Sequence, residues 1–337
     1  MLYGETPNPL YERAVRSHRL HNERWNYPMF VLREQIAGGY WNKPSYLMSL
    51  IVQELAKPKS ERLEWLMWVD ADLILINPSI PVSVFLPPTH LFPDVHFLGN
   101  RDQNGLNTGT FFLHVHEWSV KMLAKAIAFP MYRTEIDLGV SMDQEAMAHV
   151  FNDTTPYVPK TSQDWDRLHE AENELDVKER TKRRNLRSSV GGTNGEILYQ
   201  PRVWYNTYEW HHAYEGKKGN LLVHFPGLED DRWRHMSDWL DVVENTPTKW
   251  DVPLEQTMYP DEVKDYYTGL AEASKTLKQA DELAKAHENE ADQREAVQYL
   301  KDQAEELRTL LHFGSDRMKS MKEKVEHVKT LFPNEGT

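Results

Sequence analysis

Cysteine is absent from the 337 residues. That excludes disulfides, thiol nucleophiles and cysteine-ligated zinc, and the fold needs no oxidising compartment. It does not exclude a secretory location. The sequence also lacks any uninterrupted apolar run of about 18 residues, the length a membrane-spanning helix requires. Its opening, Met1-Leu2-Tyr3-Gly4-Glu5, has neither the basic start nor the apolar stretch of a signal peptide. Positive charge is in short supply: 39 Lys and Arg stand against 52 Asp and Glu, a formal net charge of −13. Such a balance argues against a nucleic-acid partner held by general electrostatics.

Apolar residues are plentiful at 40% of the chain, enough for a sizeable core, and there are 11 tryptophans and 15 tyrosines. Aromatic faces of this kind serve cores first and sugar-stacking surfaces second. Met1-Leu2-Tyr3 reads as the tail of a strand, Gly4 to Pro9 as the loop after it, and Tyr11 to Arg24 as a helix. Tyr27 to Leu32 reads as a second strand, with Pro28 near its start, so the opening is a βαβ unit and predicts a parallel sheet. A helix follows from Pro44 to Leu55. Strands are expected at Val95 to Gly99, Thr110 to Val115, Ile197 to Gln200 and Leu221 to Phe225, and helices at Glu117 to Ala128 and Gln144 to Phe151. The fold class is therefore α/β.

The sharpest local feature is Asp70-Ala71-Asp72. It ends the apolar run Leu63 to Val69 and precedes a second, Leu73 to Ile76. A buried strand thus delivers two carboxylates at its carboxyl end, where open α/β sheets place their ligands. Like charges beside a core need compensation. A hard divalent cation supplies it, and such a cation can clamp a diphosphate even on an acidic protein. Asp-x-Asp in this setting is the signature of nucleotide-sugar-dependent glycosyltransferases, although the triplet also occurs on ordinary solvated turns.

Further segments add candidates. His224 follows the apolar strand Leu221 to Val223 and precedes Gly227, which can admit a phosphate close to backbone. His224 is either a structural histidine or the third ligand of an Asp70, Asp72, His224 set suited to Mn2+ or Mg2+. Asp143-Gln144 opens a helix: Ser141 or Asp143 suits an N-cap, while the alternative sets Gln144 or Asp143 beneath a reacting sugar carbon. Asn100 to Gly109 reads as a polar loop between strands, rich in groups that bind hydroxyls or form turns. Lys43 opens the helix before the aspartate strand and is either a phosphate contact or a solvated lysine. Segment 160–195, with basic residues from Lys178 to Arg187, reads as a solvated loop or as a loop contacting diphosphate or acceptor. Asn152-Asp153-Thr154 is a lone glycosylation sequon.

Beyond Pro260 the apolar residues thin to a helical stripe: Leu270, Ala273, Leu277, Ala280 and Ala284, then Val297, Leu300, Ala304, Leu307 and Leu311. Two long helices fit, broken near His287 to Asp292 or near Gly314. The stripe suits a hairpin or an assembly face through which the chain forms homo- or hetero-oligomers. The domain reading is 1–250 for the catalytic region and 256–332 for the helical extension.

Asn42-Lys43-Pro44, Trp68-Val69-Asp70-Ala71-Asp72, Gly105-Leu106-Asn107-Thr108-Gly109-Thr110-Phe111, Trp118-Ser119, Asp143-Gln144 and Val223-His224-Phe225-Pro226-Gly227 together resemble glycosyltransferase family 34. That family includes fungal Golgi α-1,2-galactosyltransferases and α-1,6-mannosyltransferases and plant xyloglucan xylosyltransferases. The resemblance runs from about Met1 to Leu240, and Tyr11 to His18 with Tyr27-Pro28 favour the fungal branch. Glycogenin-like enzymes present a similar order of parts. The resemblance implies a GT-A fold and a retaining transfer of galactose or mannose from UDP-galactose or GDP-mannose to a mannose-containing glycan in the Golgi lumen. It implies metal ligation by Asp70, Asp72 and His224, with Mn2+ (or Mg2+) as the ion. It sets Gln144 near the anomeric carbon with Asp143 beside it, Lys43 and Gly227 on the donor, and Asp102 and Asn107 close to the sugar. It also implies a membrane anchor and stem, which this sequence does not show, and the chain starts inside what would be the first strand. A non-catalytic subunit of a glycan-building assembly is the alternative. A metal phosphohydrolase would want more carboxylates or histidines.

Overall fold

The computed structural model describes residues 8–151, 195–313 and 318–332. The strand expected at Met1 to Tyr3, the sequon and the basic stretch Lys178 to Arg187 lie outside the described residues. The chain divides into two compact units. Among the described residues the first takes 8–86, 94–151 and 195–263, and the second takes 87–93 and the residues from Lys264 onward.

The first unit is built on a mixed sheet. Strands β1 (Trp65–Val69), β3 (Phe97–Asp102), β4 (Gly105–His114) and β5 (Ile197–Tyr199) are ordered β1-β4-β3-β5, while β2 (Leu73–Leu75) pairs separately with β6 (Leu222–His224). The parallel sheet expected from the opening is not what forms. β1/β4, β3/β4 and β2/β6 are antiparallel, and β3/β5 is parallel. Two sequence features explain this. Gln103-Asn104 is a two-residue hairpin turn, closed by Asn104 N–H on Asp102 Oδ1 (2.7 Å) and by Gly105 at φ 104°, so β3 and β4 must run in opposite directions. And Tyr27 to Leu32 joins no ladder with a described strand: it and β1 both line a cavity of about 320 Å3.

Helices α1 (Pro9–Trp25), α2 (Asn42–Leu55), α3 (Glu117–Tyr132), α4 (Met142–Val150) and α5 (Asp231–Asn245) complete the unit. α1 starts where Asn8 Oδ1 accepts from Leu10 N–H (3.0 Å) with Pro9 in the first turn, and ends at Asn26 in the left-handed region. The core beneath α2, α3 and α4 joins Leu47, Ile51, Leu66, Phe97, Phe111, Leu113, Leu123 and Met147. A second cluster, with Ile74, Val223, Phe225, Met236 and Leu240, packs β2 and β6 against α1 and α5. The alternating burial of β1 fits a strand with one face on that first core.

The second unit carries most of α6 (Tyr259–Ala286) with α7 (Arg294–Phe313) and α8 (Met318–Lys329). Two helices were expected, with one break near His287 to Asp292 or near Gly314; among the described residues the chain leaves the helix after Ala286 and resumes at Arg294, while Gly314 lies outside the described residues. The stripe Leu270, Ala273, Leu277, Ala280 and Ala284 is buried as its spacing predicts, and so are Leu300, Ala304 and Leu307. Lys322–Asp265 and Arg308–Asp281 ion pairs tie the helices on their exposed sides. No described helix is long and apolar enough to cross a membrane.

Candidate active site

The residues singled out from the sequence meet at one end of the mixed sheet. The β1/β4 register sets Val69 opposite Thr110, so Asp70 emerges beside Gly109, whose carbonyl accepts from Asp70 N–H at 2.8 Å. The β2/β6 register sets Leu73 opposite His224, which brings Asp72 alongside the imidazole: His224 Nε2 lies 3.6 Å from Asp72 Oδ1. α2 and α4 each contribute their first turn.

Asn42-Lys43-Pro44 has a local logic. The Asn42 amide receives the N–H groups of Ile36 and Ala37 (2.8 and 2.9 Å) and donates to the carbonyls of Ala37 and Gly39 (both 2.7 Å). It thereby pins the entry loop, and Lys43 is aimed inward. The Lys43 ammonium donates to Thr108 O (2.9 Å), lies 3.3 Å from both Asp70 oxygens and pairs with Asp143 Oδ2 at 3.1 Å. Burial opposes its charge, but Asp70 and Asp143 hold its pKa above the usual lysine value. Lys43 is thus not a solvated lysine. It is the hub of a buried charge cluster. Asp143 is drawn into that cluster rather than capping α4, and Ser141 makes no side-chain cap. Gln144 Oε1 accepts from Thr108 N–H at 3.0 Å, which ties α4 to β4.

The two aspartates of Asp70-Ala71-Asp72 have different surroundings. Asp70 takes the Trp68 indole N–H (2.6 Å) and Lys43, yet burial, with the Asp72 and Asp143 charges, pushes its pKa up. Asp72 is partly buried, but His224 and the charge of Arg232 hold its pKa down. Arg232, in the first turn of α5, stands 3.3 Å from Asp72 Oδ2, and its Nε is buried with no hydrogen-bond partner.

The segment expected as a polar loop, Asn100 to Gly109, is mostly strand: Asn100, Asn107 and Thr108 are buried in β3 and β4. Their polarity is satisfied laterally. Asn206 donates to Asn100 Oδ1 (2.6 Å) and Asn107 Oδ1 (2.9 Å) and accepts from His224 Nδ1 (2.6 Å). That last bond keeps a proton on Nδ1, and Nε2 faces Asp72 at 3.6 Å. Asn107 donates to Tyr208 OH (2.8 Å) and to Asp102 Oδ2 (3.1 Å), and Tyr208 OH donates to Asp102 Oδ2 (2.8 Å). Burial and the Asp102 charge push the Tyr208 phenol well above its ordinary pKa. Gly109 is required by crowding, since a Cβ there would meet His224 Cε1 at 2.5 Å. Gly227 is different: its φ is +66°, and a Cβ there would point into open space.

Asn206, Tyr208 and Arg232 are the residues sequence reasoning missed. The alternation of Asn206 and Tyr208 was the available signal, because residues two apart share a side of an extended segment.

A metal fits this arrangement in part. Asp72 and His224 form a donor pair with the tautomer already fixed by Asn206, as metal-ligating histidines require. Asp70 is spent on Lys43 and Trp68, and among the described residues no group of three His, Asp or Glu side chains is gathered tightly enough to hold an ion.

No family model matches the chain, and no curated protein matches it. Among solved structures, the chain is similar to a glycosyltransferase involved in the glycosylation of the major capsid of PBCV-1, with TM-score 0.43 and 14% identity over 70% of this chain and 97% of that one.

Proposed function

We propose that the chain is a nucleotide-sugar-dependent glycosyltransferase of GT-A type, transferring galactose or mannose with retention to a glycan acceptor. The observation that carries this reading is the meeting of Asp70, Asp72, Asp143, Gln144 and His224, from separate stretches of chain, around one charge cluster. Asp72 and His224, with Asp70 as third candidate, would hold a divalent ion, Mn2+ or Mg2+, which would supply Lewis-acid stabilisation of the leaving diphosphate. Arg232 and Lys43 are the cations already beside those carboxylates, available to a diphosphate. Gln144 Oε1 is fixed by Thr108 N–H and keeps a second lone pair for positive charge developing on the sugar ring. Asp102 and Asn107, locked by Tyr208, orient sugar hydroxyls. The bond from the anomeric carbon to the diphosphate breaks and one from that carbon to the acceptor oxygen forms on the same face. The acceptor proton goes to the departing phosphate oxygen, and the α configuration is kept.

The test is release of nucleoside diphosphate from UDP-galactose, GDP-mannose and UDP-xylose in the presence of Mn2+. Release from one donor is expected, and Asp72→Ala is expected to abolish it while the melting temperature stays within a few degrees. Absence of release from every donor, or full metal-free turnover by Asp72→Ala, refutes the reading. The first outcome would favour a non-catalytic subunit.

A further inference from the structure

We infer that Trp210 is the platform on which an acceptor pyranose stacks. This rests on the glycosyltransferase reading and adds where the second substrate lies. Trp210 is 37% exposed, and its indole is immobilised. The indole N–H donates to Glu215 Oε2 (3.1 Å), the backbone N–H donates to Ala213 O (3.1 Å), and the ring meets Tyr208 edge-on at 5.3 Å. Glu215 is itself held by Arg202 Nη2 at 2.8 Å, and the Arg202 guanidinium lies 4.0 Å over the Tyr208 ring. An exposed aromatic held by this many contacts loses little entropy on binding a ligand.

Its position couples it to the reaction centre. The Tyr208 ring is 5.3 Å from the His224 ring, and Glu209 N–H, next to Trp210 in sequence, donates to His224 O at 2.8 Å. One aromatic ring therefore separates the exposed indole from His224. The surround is polar: His211 and His212 are exposed beside it, and Asp102, bonded to Tyr208, begins the exposed turn Gln103-Asn104. A flat apolar face rimmed by hydrogen-bonding groups matches a pyranose, which presents C–H groups on one face and hydroxyls around its edge.

The experiment uses the full chain, Mn2+ and methyl α-mannopyranoside as probe, with Trp210→Ala and Trp210→Phe. Saturation-transfer NMR reads sugar binding directly. The sugar-ring signal is expected to vanish in Trp210→Ala and to persist in Trp210→Phe. In transfer assays with whichever donor is hydrolysed, acceptor KM should rise about tenfold in Trp210→Ala, the worth of one aromatic contact, while donor KM and donor hydrolysis stay within twofold. Unchanged sugar binding in Trp210→Ala overturns the inference. So does a change in donor KM instead of acceptor KM, or a change of oligomeric state alone, which would make Trp210 a protein contact. If the wild-type chain hydrolyses no donor, the functional reading fails, whatever the NMR shows.

Discussion

Gly109→Ala should disable the site while leaving the fold in place. The added Cβ would lie 2.5 Å from His224 Cε1, 3.2 Å from His224 Nε2 and 3.1 Å from Asn107 Oδ1. Carbon atoms in contact prefer about 3.5–4.0 Å, so the overlap with the imidazole is about 1 Å. His224 cannot retreat freely: its Nδ1–H is bound to Asn206 at 2.6 Å and its ring packs edge-on against Tyr208. β4 cannot retreat either, because Gly109 O receives Asp70 N–H. Overpacking of this kind costs about 1–3 kcal/mol, which for a chain of this size lowers the melting temperature by roughly 1–4 °C. A displacement of about 1 Å at a reacting centre costs on the order of 10²-fold in rate. The assays are thermal melting and nucleoside diphosphate release. Gly38→Ala is the control, since a Cβ there meets nothing within 4 Å. Wild-type turnover together with an unchanged melting temperature in Gly109→Ala would refute the packing of His224 described above.

Asn206→Ala should leave a buried imidazole N–H unpaired, at about 1–3 kcal/mol, and free the tautomer. Mn2+ affinity, measured by calorimetry, is expected to fall about 10- to 100-fold; unchanged affinity would dismiss the role given to Asn206. Stability should also depend on pH through histidines that are not candidate ligands. Burial lowers the pKa of His18 to about 4, and burial with neighbouring imidazoles lowers His96 and His114 to about 4. A histidine kept neutral in the native state costs nothing above its unfolded pKa near 6.5. Below that, the unfolded chain takes up protons that the native chain refuses, so stability falls with pH by up to about 1.4 kcal/mol per unit for each such group. Denaturant melts between pH 7 and 5 should show that decline, and His96→Asn with His114→Asn should make it shallower, leaving the part due to His18. A wild-type stability flat across the range would contradict the burial of these rings.

What the sequence made legible follows a physical line. β1 and its two aspartates could be read because a contiguous apolar run ends in charge, and α1 and α2 because their cores recur at helical spacing. The end of β3 beyond Gly99 and the start of β4 before Thr110 could not. Asn100, Asn107 and Thr108 are polar, and their burial is stabilised by Asn206, about a hundred residues along the chain, through bonds no local pattern reveals. Tyr27 to Leu32 failed in the opposite sense. It has the β-forming residues of a strand, yet no described strand bonds to it, and strand propensity without a partner builds no sheet.

The same distinction governs the charges. From sequence, Asp70 and Asp72 form one uncompensated pair in need of a cation. In the fold each has its own counter-ion, Lys43 for Asp70 and Arg232 for Asp72, supplied by the first turns of α2 and α5. Lys43 is shared with Asp143, so Asp70, Asp72 and Asp143 stand against two cations, before a diphosphate adds negative charge of its own. On the proposed reading, the incoming donor can be accommodated only if further positive charge arrives with it, and the ligand pair Asp72 and His224 is where it would be received. Arg232 would then be free to leave Asp72 for a phosphate oxygen. The counter-ions that stabilise the ligand-free carboxylates are, on this argument, the same groups that bind the leaving group.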